Sequence, residues 1–337
     1  MAIGLAVPGP SGPPTALTGL TVAGVPTMGM AGLPLTTGRV IFCDYVNGSD
    51  GNDGSADYPV QTLTQAYSLM TDGNNDVAVI VGDGSTAATQ RLSASLDWAK
   101  DACHIVGMTA PTYAAQRARI STASGATTNL NPLMTVSGNG CIFANFSYFQ
   151  GVGQASTDEK LLDITGDRNY WLNVQFGGMG HTNGATRAGS YIMSLTGAGE
   201  NTFDSCTIGL ETVQRSGANS SVKFVSDSQR NLWRNCKFMM AASATSPLFI
   251  DANAASCFNG STNTFEQCSF INLTGISAAS NPAVVATLNA SINGLMVFDR
   301  CTTNATKWAA ATTQAIVSGY AIGNGFSSGR FATAADS

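Results

Sequence analysis

The chain has 337 residues, of which only 11% are charged, with 16 basic against 21 acidic side chains and a formal net charge of −5. A chain of this size can bury a substantial core, and the sparse, unclustered positive charge excludes the electrostatic footprint of a nucleic-acid-binding protein. No apolar run reaches the roughly eighteen residues of a membrane-spanning helix.

Residues 1–38 form an arm without a charged side chain. It contains six of the eleven prolines and eight glycines, in phrases such as VPGPSGPP (7–14), VAGVP (22–26) and MAGLP (30–34). Proline removes backbone donors and glycine favours the unfolded chain, so neither helix nor central strand is expected here. The arm is nevertheless rich in apolar side chains: Ile3, Leu5, Val7, Leu17, Leu20, Val22, Val25, Met28, Met30, Leu33 and Leu35. A disordered tail would leave them in water. An apolar arm with no core of its own is expected to lie on another surface, such as a second subunit. No Lys or Arg precedes Arg39, so the cationic start of a secretory signal is missing, and the chain is expected to stay in a cytoplasm until assembly or lysis.

Residues 39–130 are expected to close one end of the fold and to form its first, irregular coils. The run from Val40 to Val46 reads as a strand, 47–56 as a turn-rich loop, and Val60, Leu63, Tyr67 and Met70 as one face of a short helix entered at Pro59. Asp50 and Asn52 suit positions one and three of a calcium loop, but Gly54 stands at five and no Glu at twelve, which reads as a plain turn. The runs VAVIV (77–81), CHIVG (103–107) and ARIST (118–122) complete this part.

Over 131–305 one phrase keeps returning: CIFANFSY (141–148), NYWLNVQF (169–176), NTFDSCTI (201–208), NLWRNCKF (231–238), NTFEQCSF (263–270) and MVFDRCTT (296–303). Its aromatics are Phe143, Trp171, Phe203, Trp233, Phe265 and Phe298, which stand 28, 32, 30, 32 and 33 residues apart. A loose period of this size marks stacked structural repeats. Apolar residues at positions 0, 3 and 5 exclude a helix and read as strand, tight corner, strand. The corner residues are Asn145, Asn173, Ser205, Asn235, Gln267 and Arg300; asparagine tolerates left-handed backbone better than most residues. A second apolar run precedes each phrase: LMTV (133–136), LLDI (161–164), YIMSL (191–195), VKFV (222–225), PLFI (247–250) and AVVATL (283–288). Cys206, Cys236, Cys268 and Cys301 take equivalent inward positions and are expected to stack as reduced thiols. A linear stack of this kind does not supply the converging tetrahedral ligands of a zinc site. Residues 306–337 are Ala-, Ser- and Gly-rich, a tail or closing segment.

The recurrent phrase, its upstream strands and the segment after Val40 closely resemble the right-handed parallel β-helix of pectin-lyase-like proteins. The resemblance covers roughly residues 40–305 and implies an all-β fold with an N-terminal capping helix, which the extended Gly/Pro-rich arm of residues 1–38 precedes. It says little about activity.

Glycan lyases and hydrolases on this fold place acids, or acids with Arg or Lys, on one exposed strand face. The outward residues after the aromatics are Ala144, Leu172, Asp204, Arg234, Glu266 and Asp299. Asp204, Arg234 and Glu266 would stack as acid, base, acid, which a solvated salt-bridge ladder explains; Asp204 with Glu266 is the one pair to test for catalysis. His104 and His181 read as structural or loop histidines. Trp98, Tyr113 and Trp308 have no place in the pattern. No cofactor or metal site is indicated.

The whole chain also resembles, more loosely, tailed-phage proteins that open with a similar arm. That likeness implies a structural virion protein without enzymatic activity, a capsid decoration (cement) protein. Its partners would be the major capsid protein or other virion subunits, and it would form a homotrimer. A tail fibre or tailspike that binds or cleaves host polysaccharide is the alternative. A secreted pectate-lyase-type enzyme, which needs a signal peptide and an acidic calcium cluster, comes third.

Overall fold

The computed structural model describes residues 36–309 apart from 111, 113, 115–117, 154–156 and 274–280, together with 314–319 and the short segments 21–22, 25–26 and 332–333. Each turn of the chain lays down one strand in each of three parallel sheets, so the fold is an all-β parallel solenoid. The first sheet begins at Val40–Cys43 and Val77–Val81 and runs to Asn293–Asp299 and Ala315–Ser318; the second runs from Gln90–Leu92 to Thr302–Thr303; the third runs from Leu96–Trp98 to Lys307–Ala309. The apolar runs upstream of each phrase are the third-sheet strands, for example Lys160–Ile164, Tyr191–Thr196 and Leu248–Ala252.

Register explains why the phrase repeats. Phe143, Trp171, Phe203, Trp233, Phe265 and Phe298 are direct partners on successive first-sheet strands. All six are fully buried. Their rings stack at centroid separations of 4.0, 5.6, 5.0, 4.5 and 5.3 Å, inside the range in which aromatic pairs gain beyond area burial. The next residue inward is Phe146, Val174, Cys206, Cys236, Cys268 or Cys301, all buried. All eight cysteines are unpaired and buried. The thiols of Cys206, Cys236, Cys268 and Cys301 donate to the carbonyls of Trp171, Phe203, Trp233 and Phe265 at 3.3–3.5 Å.

Between aromatic and cysteine the chain turns through left-handed backbone. Asn145, Asn173, Ser205, Asn235, Gln267 and Arg300 have φ of 59°, 49°, 55°, 54°, 54° and 51°, a region costly for residues with a Cβ. The opposite corner holds a ladder that the sequence reading did not assign. Asn169, Asn201, Asn231 and Asn263 are buried, and each side-chain oxygen accepts the main-chain N–H of Cys141, Asn169, Asn201 or Asn231 one turn earlier at 2.8–3.1 Å. Their amide groups donate to Gly138, Gly166, Ala198 and Ser228 carbonyls. The ladder satisfies main-chain groups that a corner would otherwise leave unpaired in the interior.

At the N-terminal end a helix spans Leu63–Leu69, with Leu63 and Ala66 buried. It begins later than the apolar spacing suggested. Val60 instead bridges Cys43, and Asp50 takes the main-chain N–H groups of Gln61 at 3.0 Å and Thr62 at 2.8 Å, with the Thr62 hydroxyl on its other oxygen at 2.9 Å. Asp50 therefore anchors the start of the helix, and Thr62 caps it by accepting from Gln65 N–H. Trp98 and Trp308, which had no place in the pattern, are both core residues near the two ends of the stack; Tyr113 lies outside the described residues.

Of the arm's apolar residues, Val22 and Val25 pair in a two-strand antiparallel ribbon, Thr21–Val22 with Val25–Pro26. Ile3, Leu5, Val7, Leu17, Leu20, Met28, Met30, Leu33 and Leu35 lie outside the described residues. In the tail, Lys307–Ala309 closes the third sheet, and Ala332–Thr333 pairs antiparallel with Ala315–Ser318.

Candidate functional site

The residues after the aromatics form one outward column on the first sheet. Leu172, Asp204, Arg234, Glu266, Asp299 and Ser318 are consecutive register partners. Asp204 is nearly buried, at 9% exposure. One of its oxygens accepts from Arg234 Nε at 3.1 Å and from an Arg234 terminal nitrogen, and the Tyr170 hydroxyl stands 3.4 Å away; the other accepts from the Ser205 hydroxyl at 2.9 Å. These bonds to Asp204 hold the Arg234 guanidinium more firmly protonated than usual.

Glu266 and Asp299 are bound by Arg300, which reaches both carboxylates; Asp299 also accepts from the Ser318 hydroxyl at 2.8 Å. Arg300 was legible in the sequence only as a corner residue. Its left-handed backbone turns the side chain back onto the column, so it becomes the cation of this group. A second ion network, Arg168–Glu200–Arg230 with bonds of 2.7 and 2.9 Å, runs along the neighbouring corner.

This geometry bears on chemistry. Asp204 and Glu266 lie two strands apart, about 9.6 Å between backbones at a strand spacing of about 4.8 Å. A carboxylate pair that hydrolyses a glycosidic bond with inversion needs about 6.5–9.5 Å with room for sugar and water between the groups. Here Arg234 stands between them in register; Asp204 is bound to Arg234 and to the Ser205 hydroxyl, and one oxygen of Glu266 is bound to Arg300.

The other titratable candidates fall apart in space. His104 is buried and accepts the Ile142 N–H at 3.0 Å; burial pushes its pKa down to about 4, so it is neutral. His181 caps the short helix Thr182–Ala185, accepting from Asn183 N–H at 3.1 Å.

Glu159 and Arg215 are buried ionisable groups that no motif in the sequence marks. Glu159 has no exposed surface; one oxygen accepts from the N–H groups of Met179 and Gly180, the other has no partner, and burial raises its pKa to about 8. Arg215 donates to the Asn219 side chain and carbonyl, the Ser221 hydroxyl and the Leu248 carbonyl at 2.7–3.1 Å, with its pKa lowered by burial to about 9. Among the described residues no group of three or more metal-ligating side chains converges.

No family model matches the chain, and no curated protein matches it. Solved structures do. Pectin methylesterase PemA from Erwinia chrysanthemi aligns over 87% of this chain and 91% of its own, with 12% identity and a TM-score of 0.56. Pectate lyase Pel9A aligns over 80% of this chain and 70% of its own, with 11% identity and a TM-score of 0.52. ORF18 of Geobacillus virus E2 aligns over 85% of this chain and 62% of its own, with 10% identity and a TM-score of 0.46. At such identities the likeness to the two pectin-modifying enzymes establishes a shared parallel β-helix and nothing about activity.

Proposed function

We propose that this chain is a structural virion protein, a capsid decoration protein whose arm, residues 1–38, binds the major capsid protein or other virion subunits while the β-helix stands outward as part of a homotrimer. One observation carries the reading: on the outward column of the first sheet, Asp204, Glu266 and Asp299 are each bound to a guanidinium, a surface built to be held rather than to exchange protons. The uncharged, apolar composition of residues 1–38 supplies an attachment segment that gains from burial against a partner. The test is removal of residues 1–38. Full-length protein should sediment with undecorated shells, and the truncated protein should remain in the supernatant with the thermal unfolding of its β-helix unchanged. Equal binding by the truncated protein overturns the reading.

The fold shared with pectin methylesterase and pectate lyase favours a second reading, a tail fibre or tailspike that binds or depolymerises host surface polysaccharide. Reducing ends released from host glycans by the wild type and lost in Asp204→Ala would establish it.

A further inference from the structure

Glu159 stands immediately before the third-sheet strand Lys160–Ile164, and its main chain belongs to the ladder. Its N–H donates to the Ser190 hydroxyl at 2.9 Å, and its carbonyl accepts from Tyr191 N–H at 2.9 Å. The side chain leaves the ladder and reaches the connection 178–190, which joins the second-sheet strand Gln175–Gly177 to the third-sheet strand Tyr191–Thr196. One carboxyl oxygen accepts from the Met179 and Gly180 N–H groups. The other lies against Gly184, where a Cβ would come within 2.3 Å of it, and this second oxygen is buried without a partner.

The connection is seated on this carboxyl at one end and on the next turn at the other. Gly180 N–H also donates to the Gln150 carbonyl at 2.9 Å, and the Ala185 carbonyl accepts from Ser216 N–H, Gly217 N–H and the Asn219 amide at 2.7–3.3 Å. Apart from the short helix Thr182–Ala185 it carries no regular structure, and local opening is drawn from such segments rather than from ladders of strands. The charged and titratable neighbours are engaged elsewhere. Asp158 packs on Gly189, Lys160 lies over the Tyr191 ring, and Arg215 is spent on Asn219, Ser221 and the Leu248 carbonyl. Within the connection, the His181 ring accepts from Asn183 N–H, and Arg187 follows the helix with its carbonyl on the Asn219 amide at 3.1 Å. Burial is what keeps the proton on Glu159, with a pKa of about 8 against an ordinary 4.5.

We propose that the connection 178–190 is a latch closed on the neutral Glu159 carboxyl: ionisation needs water at the unpartnered oxygen, and water enters when the connection lifts away while the strands stay in place. A lifted connection returns the carboxyl to its ordinary acidity, so the open form gains about tenfold per pH unit between 4.5 and 8. Below this window the latch keeps its full hold; above it nothing more is lost. Loss of a proton from His181 acts the other way, because only its neutral ring can accept the Asn183 N–H. The latch works within one molecule and is independent of the shell-binding reading: a failure to bind shells leaves it untouched.

Hydrogen exchange of the full chain, followed by peptide mass spectrometry and corrected for the intrinsic effect of pH on exchange, reads the opening directly. From about pH 6.5 to 7.5 the protection of 178–188 should fall roughly five- to tenfold, while that of the strand Tyr191–Thr196 stays unchanged. Glu159→Gln, which keeps an acceptor for the Met179 and Gly180 N–H groups but cannot ionise, should remove this slope. Gly184→Ala, which places a methyl group against the carboxyl, should lower the protection of 178–188 at both pH values while the strands exchange as in the wild type. Protection of 178–188 that does not change with pH in the wild type overturns the proposal. So does a slope that persists in Glu159→Gln, or a fall shared equally by Tyr191–Thr196, which would make the event an unfolding of the stack.

Discussion

Asn231 commits its side chain to the main chain of neighbouring turns: its oxygen accepts from Asn201 N–H, and its amide donates to the Ala198 carbonyl and to Asn263. Asn231→Leu strands a donor and an acceptor in the interior, and should cost about 2–4 kcal/mol of stability in denaturant unfolding. A loss near zero would mean that water replaces the ladder. Glu159 and His104 set the pH dependence. Glu159 keeps its proton in the folded chain up to about pH 8, whereas the unfolded chain releases it near the ordinary value of 4.5. Stability therefore falls as pH rises through this window, by about 1.4 kcal/mol per unit for one proton. His104 acts in the opposite sense: folded it refuses a proton until about pH 4, unfolded it takes one near 6.5, so stability falls as pH drops between these values. The two effects oppose each other between 4.5 and 6.5, and the Glu159 loss stands alone from 6.5 to 8. Glu159→Gln should flatten the denaturation midpoint across that upper window; an unchanged slope would show that Glu159 is ionised in the fold.

At the scale of strands and corners, the backbone of each turn is forced into a conformation that most residues dislike. Gln267 has φ of 54° and makes its corner without the Asn side chain common at equivalent positions. Gln267→Gly should stabilise or be neutral, whereas Gln267→Val should cost about 1–2 kcal/mol or more, as left-handed backbone does for β-branched side chains. Equal stability of the two variants would remove backbone strain from the account. These corners were legible because their residue types and their place between aromatic and cysteine recur at a fixed offset. The stacked aromatics were legible for the same reason. The asparagine ladder was visible as a letter at the start of the phrase, but its role depends on which main-chain groups a corner leaves open, and that is a three-dimensional fact. The outward position of Asp204, Arg234 and Glu266 followed from alternation; the turning of Arg300 back onto Glu266 and Asp299 did not, since alternation fails at a left-handed residue. The late start of the helix at Leu63 follows from Asp50, eleven residues before Gln61, holding backbone N–H groups that the local pattern assigned to the helix.

On the scale of the molecule, a solenoid of stacked turns has contacts only between neighbours, so its stability is a sum of turns and interfaces rather than of one compact core. Position along the axis should then decide what a substitution does. Phe203 and Phe298 occupy equivalent places, fully buried and stacked on their neighbours, yet Phe203 lies mid-stack and Phe298 one strand from the end of the parallel first sheet. Each truncation to Ala opens a cavity and forfeits about 3–5 kcal/mol locally. In Phe298→Ala that loss falls on the last turn, which can fray without the rest, so hydrogen exchange should quicken over residues 293–309 and remain slow before 260. In Phe203→Ala the weakened interface lies between two long halves, and exchange should quicken on both sides of it while the ends keep their own rates. If both variants accelerate exchange uniformly along the chain, the stack unfolds as a single cooperative unit, and the coupling between turns exceeds the stability of any one of them.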